Sequence, residues 1–587
     1  MMFSKNILVL SIFSFTGILL TNCGGGSTIG TVDPAIDYLS SYDDLSCVAG
    51  PDTVGIWKTV ANNNTAIPND SNYFFFSYNQ PSINKSGMVT FRARSKTNAS
   101  QNSGTQQSNN SIVVHGVYAV QPCLTNQRIY RVADNNTIVP VPNTQGALFT
   151  EFPSIPRIDG TSGIIGTRGM SQSLYILPDG TKIGNSGVYT TLSSGLTTAI
   201  GQFATIADYS YMKVPNATSA TPISFDQFPG SPTVTNNTIV FKGNYTDTDA
   251  TGTSISKTGV YFRNLNQINS NVEVIADTNM FIPNTSQKFG STAPPSSALS
   301  KVVFLGVDNE TSPTVGGIYI SNTSSNPSLS SLVKIGDNVP DQLGNPISNL
   351  TFTQFGEALG FDGRYVSFWG AWGTQQKEVQ LECPVDGNKD LIQLCVNNSV
   401  NNVTIQMEPV NQGIFVYDTQ RNKAWMVATT DTTQNGQFSD FLYWTFSGDP
   451  NVNDGEAPRW RASIFTSVDG DRGVIFKGSL LSTSTVTAPS SGLYGTKFNP
   501  NDTNTLFKLM VVGDDMSSID STAPAGSTIT SIGIERESLR YGWLVVTVSS
   551  NNSSNESWAG IYATNFPSAF KLSTTIDSFG MVALTLK

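Results

Sequence analysis

Phe225-Asp226-Gln227-Phe228 opens a stretch, ending at Pro283, whose pattern decides the fold. A polar turn, Thr235-Asn236-Asn237-Thr238, leads into the apolar run Ile239-Val240-Phe241-Lys242-Gly243. The pattern resumes at Gly259-Val260-Tyr261 and closes on Val274-Ile275-Ala276-Asp277. Short runs rich in β-branched and aromatic residues, separated by Asn, Thr, Gly and Pro, read as four strands. The unbroken apolar run suits an inner strand buried on both faces.

The same unit recurs along the chain. Its Gly-aliphatic-aromatic triplet stands at Gly55-Ile56-Trp57, Gly116-Val117-Tyr118, Gly187-Val188-Tyr189, Gly259-Val260-Tyr261, Gly317-Ile318-Tyr319, Gly413-Ile414-Phe415, Gly492-Leu493-Tyr494 and Gly560-Ile561-Tyr562. That is a period of about 72 residues, longer than a WD40 or kelch unit, so loops between strands are generous. The Phe-x-x-Phe pair returns at Phe149/Phe152 and Phe352/Phe355, and the closing strand ends on Asp134, Asp208, Asp277, Asp337 and Asp514. A carboxylate repeated at one phase of a fold is expected to cap a turn, because catalysis needs one asymmetric constellation.

Four short antiparallel strands copied seven or eight times make an all-β protein, expected as a single β-propeller; tandem β-sandwich domains are the alternative. The first copy, at Gly55-Ile56-Trp57 and Val60-Ala61-Asn62, has no front strands, and residues 578–587 read as one spare terminal strand. The two are expected to join in one blade and close the ring, which removes an exposed sheet edge.

Asn84-Lys85-Ser86-Gly87-Met88-Val89-Thr90-Phe91 resembles the unit of bacterial exported proteins with tandem NxxGxxAF-type repeats, with Val or Thr where Ala would stand. Asp362-Gly363-Arg364-Tyr365-Val366-Ser367-Phe368 and Gly470-Asp471-Arg472-Gly473-Val474-Ile475-Phe476 are looser copies. The resemblance implies a propeller-like repeat protein and carries no catalytic residue across.

Residues 1–22 read as a secretion signal, with Lys5 as the positive charge and residues 7–20 as an apolar run too short to span a membrane comfortably. It ends in Leu20-Thr21-Asn22-Cys23, which resembles a spirochaete-type lipobox; that implies lipidation of Cys23. Residues 23–50 form a Gly-rich tether and entry segment, and 51–587 the repeat domain. The expected location is the bacterial outer membrane or cell surface, held by lipid alone. Cys47, Cys123, Cys383 and Cys395 then form an even set in an exported chain. Three pairings are possible; Cys383 with Cys395 and Cys47 with Cys123 is the one expected, over zinc, since there is no Cys-x-x-Cys and no nearby His.

The chain has 587 residues, a formal charge of -10 and only 13% charged residues. This balance disfavours nucleic acid as a partner, and no Lys/Arg block offsets it. A monomeric ring is expected. His115, the single histidine, precedes a repeated Gly-Val-Tyr and reads as a strand residue. Chemistry would need carboxylates.

Between Gly317 and Gly413 the spacing grows to 96, with an insert at about 374–412 that holds Cys383 and Cys395. Trp369, Trp372, Tyr443, Trp444 and Trp460 flank it as candidate ligand-binding rings, able to stack on sugars or anchor a protein, if they are not core fillers. Asp449, Asn451 and Asn453 alternate as oxygen ligands for Ca2+ would, as does Asp386-Gly387-Asn388-Lys389-Asp390; neither run completes an EF-hand loop, and no other cofactor is implied. The leading functional expectation is a non-enzymatic binding or adhesion module for a protein or glycan. A periplasm-facing scaffold and a polysaccharide hydrolase or lyase are the alternatives.

Overall fold

In the computed structural model, Ile239, Val240 and Phe241 lie in the strand Thr238–Thr248. That strand pairs antiparallel with Thr233–Thr235 on one side and Ser254–Asn264 on the other, and Val272–Asp277 completes the sheet. The description covers residues 56–566 and 582–583, apart from 69, 98–112, 123–126, 193–194, 206–211, 220, 250, 268, 386–388, 449–456, 482–490 and 502–504. The signal, the tether, Cys23, Cys47, Cys123, Asp208, Asp386-Gly387-Asn388, Asp449, Asn451 and Asn453 lie outside the described residues.

Seven sheets of this kind follow one another, numbered here as blades 1 to 7 by their third strands: His115–Val120, Ser186–Leu192, Ser254–Asn264, Gly316–Asn322, Val403–Asp418, Ser491–Thr496 and Ser557–Asn565. Seven of the eight triplets sit in these strands. The first does not: Ile56 is 61% exposed and precedes a strand, Lys58–Asn62, that pairs with Ser557–Asn565. The blade count is therefore seven. The last blade takes four strands from one end of the chain and its outer strand from the other. The expectation that residues 578–587 close the ring is corrected, because Val582–Ala583 instead adds a parallel edge to Leu506–Val511 of blade 6.

Seven buried clusters fill the seven interfaces between neighbouring blades. One joins Val188 and Ile200 of blade 2 to Phe225, Phe241 and Tyr261 of blade 3, and another joins Val60 and Ile561 of blade 7 to Phe91 and Tyr118 of blade 1. Every core is shared by two blades, so no blade is a sandwich domain with a core of its own. Short inner strands, among them Arg157–Ile158, Thr233–Thr235, Ser296–Ala298, Gly360–Phe361, Thr466–Asp469 and Leu539–Arg540, line the axis in sequence.

The repeated residues have packing reasons. Phe225 sets its ring 4.9 Å from Tyr261 and 5.7 Å from Phe241, edge on, and Phe438 repeats this against Tyr494 at 5.1 Å. Aromatic pairs of this kind add about 0.5–1.5 kcal/mol beyond their burial. The glycine in the second strand makes room for that Phe, since a Cβ on Gly243 would stand 2.5 Å from the Phe225 ring. The Asn84-x-x-Gly87 motif is the turn from inner to second strand: Asn84 Oδ1 accepts the Ser86 and Met88 N–H groups, and Gly87 takes φ 79°. Asp362 accepts from the Arg364 and Tyr365 N–H groups in the same role. Asp134, Asp277, Asp337 and Asp514 each accept a backbone N–H at the end of the blade, as turn caps.

Candidate functional site

Antiparallel blades put two kinds of connection at one end of the ring: the loops entering each inner strand, and the hairpins between second and third strands. The insertions gather there. The second and third strands of blade 5, Tyr365–Glu382 and Val403–Asp418, run 18 and 16 residues and project beyond the sheet. At the projecting tip sits the helix Lys389–Asn397, tied by the Cys383–Cys395 disulfide, whose Cα atoms are 5.8 Å apart. A second hairpin, Tyr443–Ser447 with Arg459–Ser463, is inserted between the first strand of blade 6 and its inner strand.

A cavity of about 420 Å³ opens at this end. Its floor is apolar, from Ile155, Leu305, Phe355, Ile464, Phe465 and Ile534, each just before an inner strand or in blade 4. Glu310, Gln354, Glu357, Gln376, Met407 and Trp444 form the rim. Glu535 and Arg536 stand where the cavity meets the axis. This mixture of an apolar floor with a few convergent polar groups is what small-molecule, glycan and peptide side-chain sites share.

Beneath it the axis is crossed by a buried ionic network. Arg157 of blade 2, 1% exposed, pairs with Glu535 of blade 7 at 2.7 Å and donates to the Pro295 carbonyl at 2.9 Å. Arg540 pairs with Glu537 at 3.1 Å, and Thr233 of blade 3 donates to the same carboxylate at 3.1 Å. Arg536 donates to the Pro294 carbonyl at 2.9 Å. Burial lowers Arg536 to about 10 and raises Glu537, the latter against the pull of Arg540 and Arg157.

The five aromatic candidates divide. Trp369 and Trp372, 2% and 1% exposed, are packed between blades 5 and 6 and blades 4 and 5, and so are not free rings for stacking. They lie in a strand buried on both faces, and the Trp369 Nε1–H donates to Gln412 at 3.1 Å; only an edge of Trp369 reaches the cavity floor. Tyr443, Trp444 and Trp460 are half-buried on the inserted hairpin. Tyr443 bonds Ser491 at 3.0 Å under the Lys477 ammonium, and Trp460 packs on Phe446. Trp444 alone is both accessible and on the cavity wall.

Behind Trp444 lies a cluster with no sequence signature. The Trp444 Nε1–H donates to Glu408, whose side chain is 1% exposed. Lys377 reaches Asp440 at 2.7 Å and Glu408 at 3.4 Å. Burial, then the contact with Asp440, pushes Glu408 up to about 7; Asp440 is held down, against its own burial, by Glu408 and Lys377.

Elsewhere, His115 is a strand residue whose Nε2 meets the Thr150 carbonyl at 2.7 Å. At the opposite end of the axis, Asp159, Asp362 and Asp469 border a cleft of about 160 Å³. Asp362 and Asp469 accept backbone N–H bonds from Gly470 and Gly542, which stitch neighbouring blades. Among the described residues no group of three or more His, Cys, Asp or Glu has metal-holding geometry, and no helix is long and apolar enough to cross a membrane.

No family model matches the chain, and no curated protein does. Among solved structures, the β-propeller domain of the Trilobed protease from Pyrococcus furiosus aligns at a TM-score of 0.35 with 8% identity, covering 84% of this chain and 93% of that one. A subtype N11 neuraminidase-like protein of A/flat-faced bat/Peru/033/2010 aligns at 0.27 with 11% identity, over 77% and 96%. An α-L-arabinanase of Penicillium chrysogenum aligns at 0.22 with 11% identity, over 52% and 75%. Scores this low carry no argument; the seven sheets and their shared cores define the class, an all-β, seven-bladed propeller.

Proposed function

We propose that this propeller is a recognition module, taking a protein segment or glycan at its insert-bearing end without turning it over. Lipid on Cys23 would hold it at the outer membrane or cell surface. The observation that carries the reading is the 420 Å³ cavity, with its apolar floor and Trp444 wall, at the end where the insertions gather. Its wall carboxylates support binding over hydrolysis. Of the three on its lining, Glu310 is tied to Arg459 at 3.2 Å and Glu535 to Arg157, which leaves Glu357 as the single one without an ion pair among the described residues, while Glu408 and Asp440 lie behind the indole. Glycoside hydrolysis needs two carboxyl groups flanking the bond to be cut.

The test is binding of the full chain to arrays of bacterial and host glycans and to immobilised envelope and extracellular-matrix proteins, alongside Trp444→Ala. Loss of a central aromatic anchor costs about 2–4 kcal/mol, so affinity is expected to fall at least about 30-fold. Ligands bound equally by both forms would remove the reading. The mass of the mature N-terminal peptide checks the anchor: an unmodified Cys23 would contradict it.

A further inference from the structure

The cluster behind Trp444 ties the projecting hairpin of blade 5 to the cavity wall through carboxyl groups that outnumber their cation. Glu408 is on that hairpin, Asp440 ends the strand Phe438–Asp440, and Trp444 begins four residues later in the inserted hairpin. The groups facing Glu408 are Lys377 from the paired strand of its own hairpin, Asp440 and the Trp444 indole. Glu378 and Glu382 alternate onto the other face of the hairpin, with Met407. One ammonium therefore serves two carboxyl groups, and the second carboxylate oxygen of Glu408, 3.4 Å from that ammonium, makes no hydrogen bond.

We propose that Glu408 is a proton-linked positioning residue for the cavity: its protonated carboxyl bridges to Asp440 and holds Trp444 in the wall, and its ionised form releases that bridge. The inference rests on the recognition reading for its consequence, which is that ligand binding here depends on pH. Two carboxylates in contact repel, and the single Lys377 is already engaged by Asp440 at 2.7 Å. When Glu408 ionises it leaves Asp440 and takes the indole anchored on it along. The proton goes to solvent and no other bond changes. The level given above for Glu408 puts this event near neutrality.

The sign follows from the direction of that shift. A carboxyl raised in the folded state gives stability that is present below its unfolded value of about 4.3 and declines as pH rises toward the folded one. The docked wall is thus the acid-side form, and the released wall the form on the alkaline side of neutrality.

The test is the tryptophan fluorescence of the full chain, titrated from about pH 5 to about pH 9, with the Trp444 contribution isolated by difference from Trp444→Phe. A transition with its midpoint near 7 is expected, lost in Glu408→Gln. Asp440→Asn, which removes the neighbour that raises Glu408, is expected to move the midpoint down; Lys377→Met is expected to move it up. These opposite shifts keep the test decisive if Glu408→Gln fails to fold. A wild-type signal without a transition, a transition that survives Glu408→Gln, or shifts of the wrong sign would overturn the proposal. No ligand is needed for this readout, so its failure is separate from a failure of the binding arrays, which would remove the recognition reading instead.

Discussion

A chain that begins at residue 63 is expected to be less stable than one that begins at residue 56 by on the order of 5 kcal/mol, because only the longer one closes the ring. The missing strand, Lys58–Asn62, buries Val60 and Ala61, worth about 2–3 kcal/mol at about 25 cal/mol per Å². It also pairs four residues with Ser557–Asn565, at about 1 kcal/mol for each hydrogen bond. Asn62 further donates to the buried Asp520 at 2.8 Å. Without the strand, blade 7 presents an open edge, and open edges recruit other chains. Urea unfolding should show the loss in the midpoint, and sedimentation should show association of the shorter chain. Equal midpoints with both chains monomeric would mean that the ring is held shut by something else.

Replacing Arg157 by Met is expected to cost about 3–5 kcal/mol, the penalty for leaving a buried ion without its partner. Arg157 and Glu535 are 1% and 4% exposed, and they join blade 2 to blade 7, the two blades that flank blade 1. A surface pair would give at most about 1 kcal/mol. The second substitution separates pairing from packing. In Arg157→Met/Glu535→Leu neither charge remains, and since apolar replacements of buried pairs are often neutral or better, most of the loss should be recovered. A double variant as unstable as the single one would show that Arg157 matters for the carbonyl bonds it makes, such as that to Pro295, and not for Glu535.

These expectations depend on features of unequal visibility in the sequence. The blade was legible because each of its repeated residues has a local reason: the Phe ring needs a glycine opposite, and the Asp or Asn needs free N–H groups in a tight turn. The first triplet misled because Val60-Ala61-Asn62, which follows it, really is a closing strand, but of blade 7, whose other strands lie some 460 to 500 residues along the chain. The insert announced itself by its spacing and its cysteines. Burial of Trp369 and Trp372 could not be read locally, since a strand between two blades has no solvent face to mark by alternation. The cavity was hidden for another reason: its floor takes one or two ordinary apolar residues from each of several distant loops. One local signal did exist. Glu535-Arg536-Glu537-Ser538-Leu539-Arg540 concentrates charge in a chain that has little, at the phase where blade 4 places the small neutral residues Ser296 and Ser297.

The central claim is that the insert-bearing end is the recognition surface. Hydrogen exchange of the full chain, with and without a ligand drawn from the binding arrays, tests it most directly. Slowed exchange is predicted in residues 373–382, 403–412 and 443–447 and in the loop at Ile464 and Phe465, which surround the cavity. Protection confined to the opposite end, at the turns of Asn84, Asp159, Asp362 and Asp469, would contradict it.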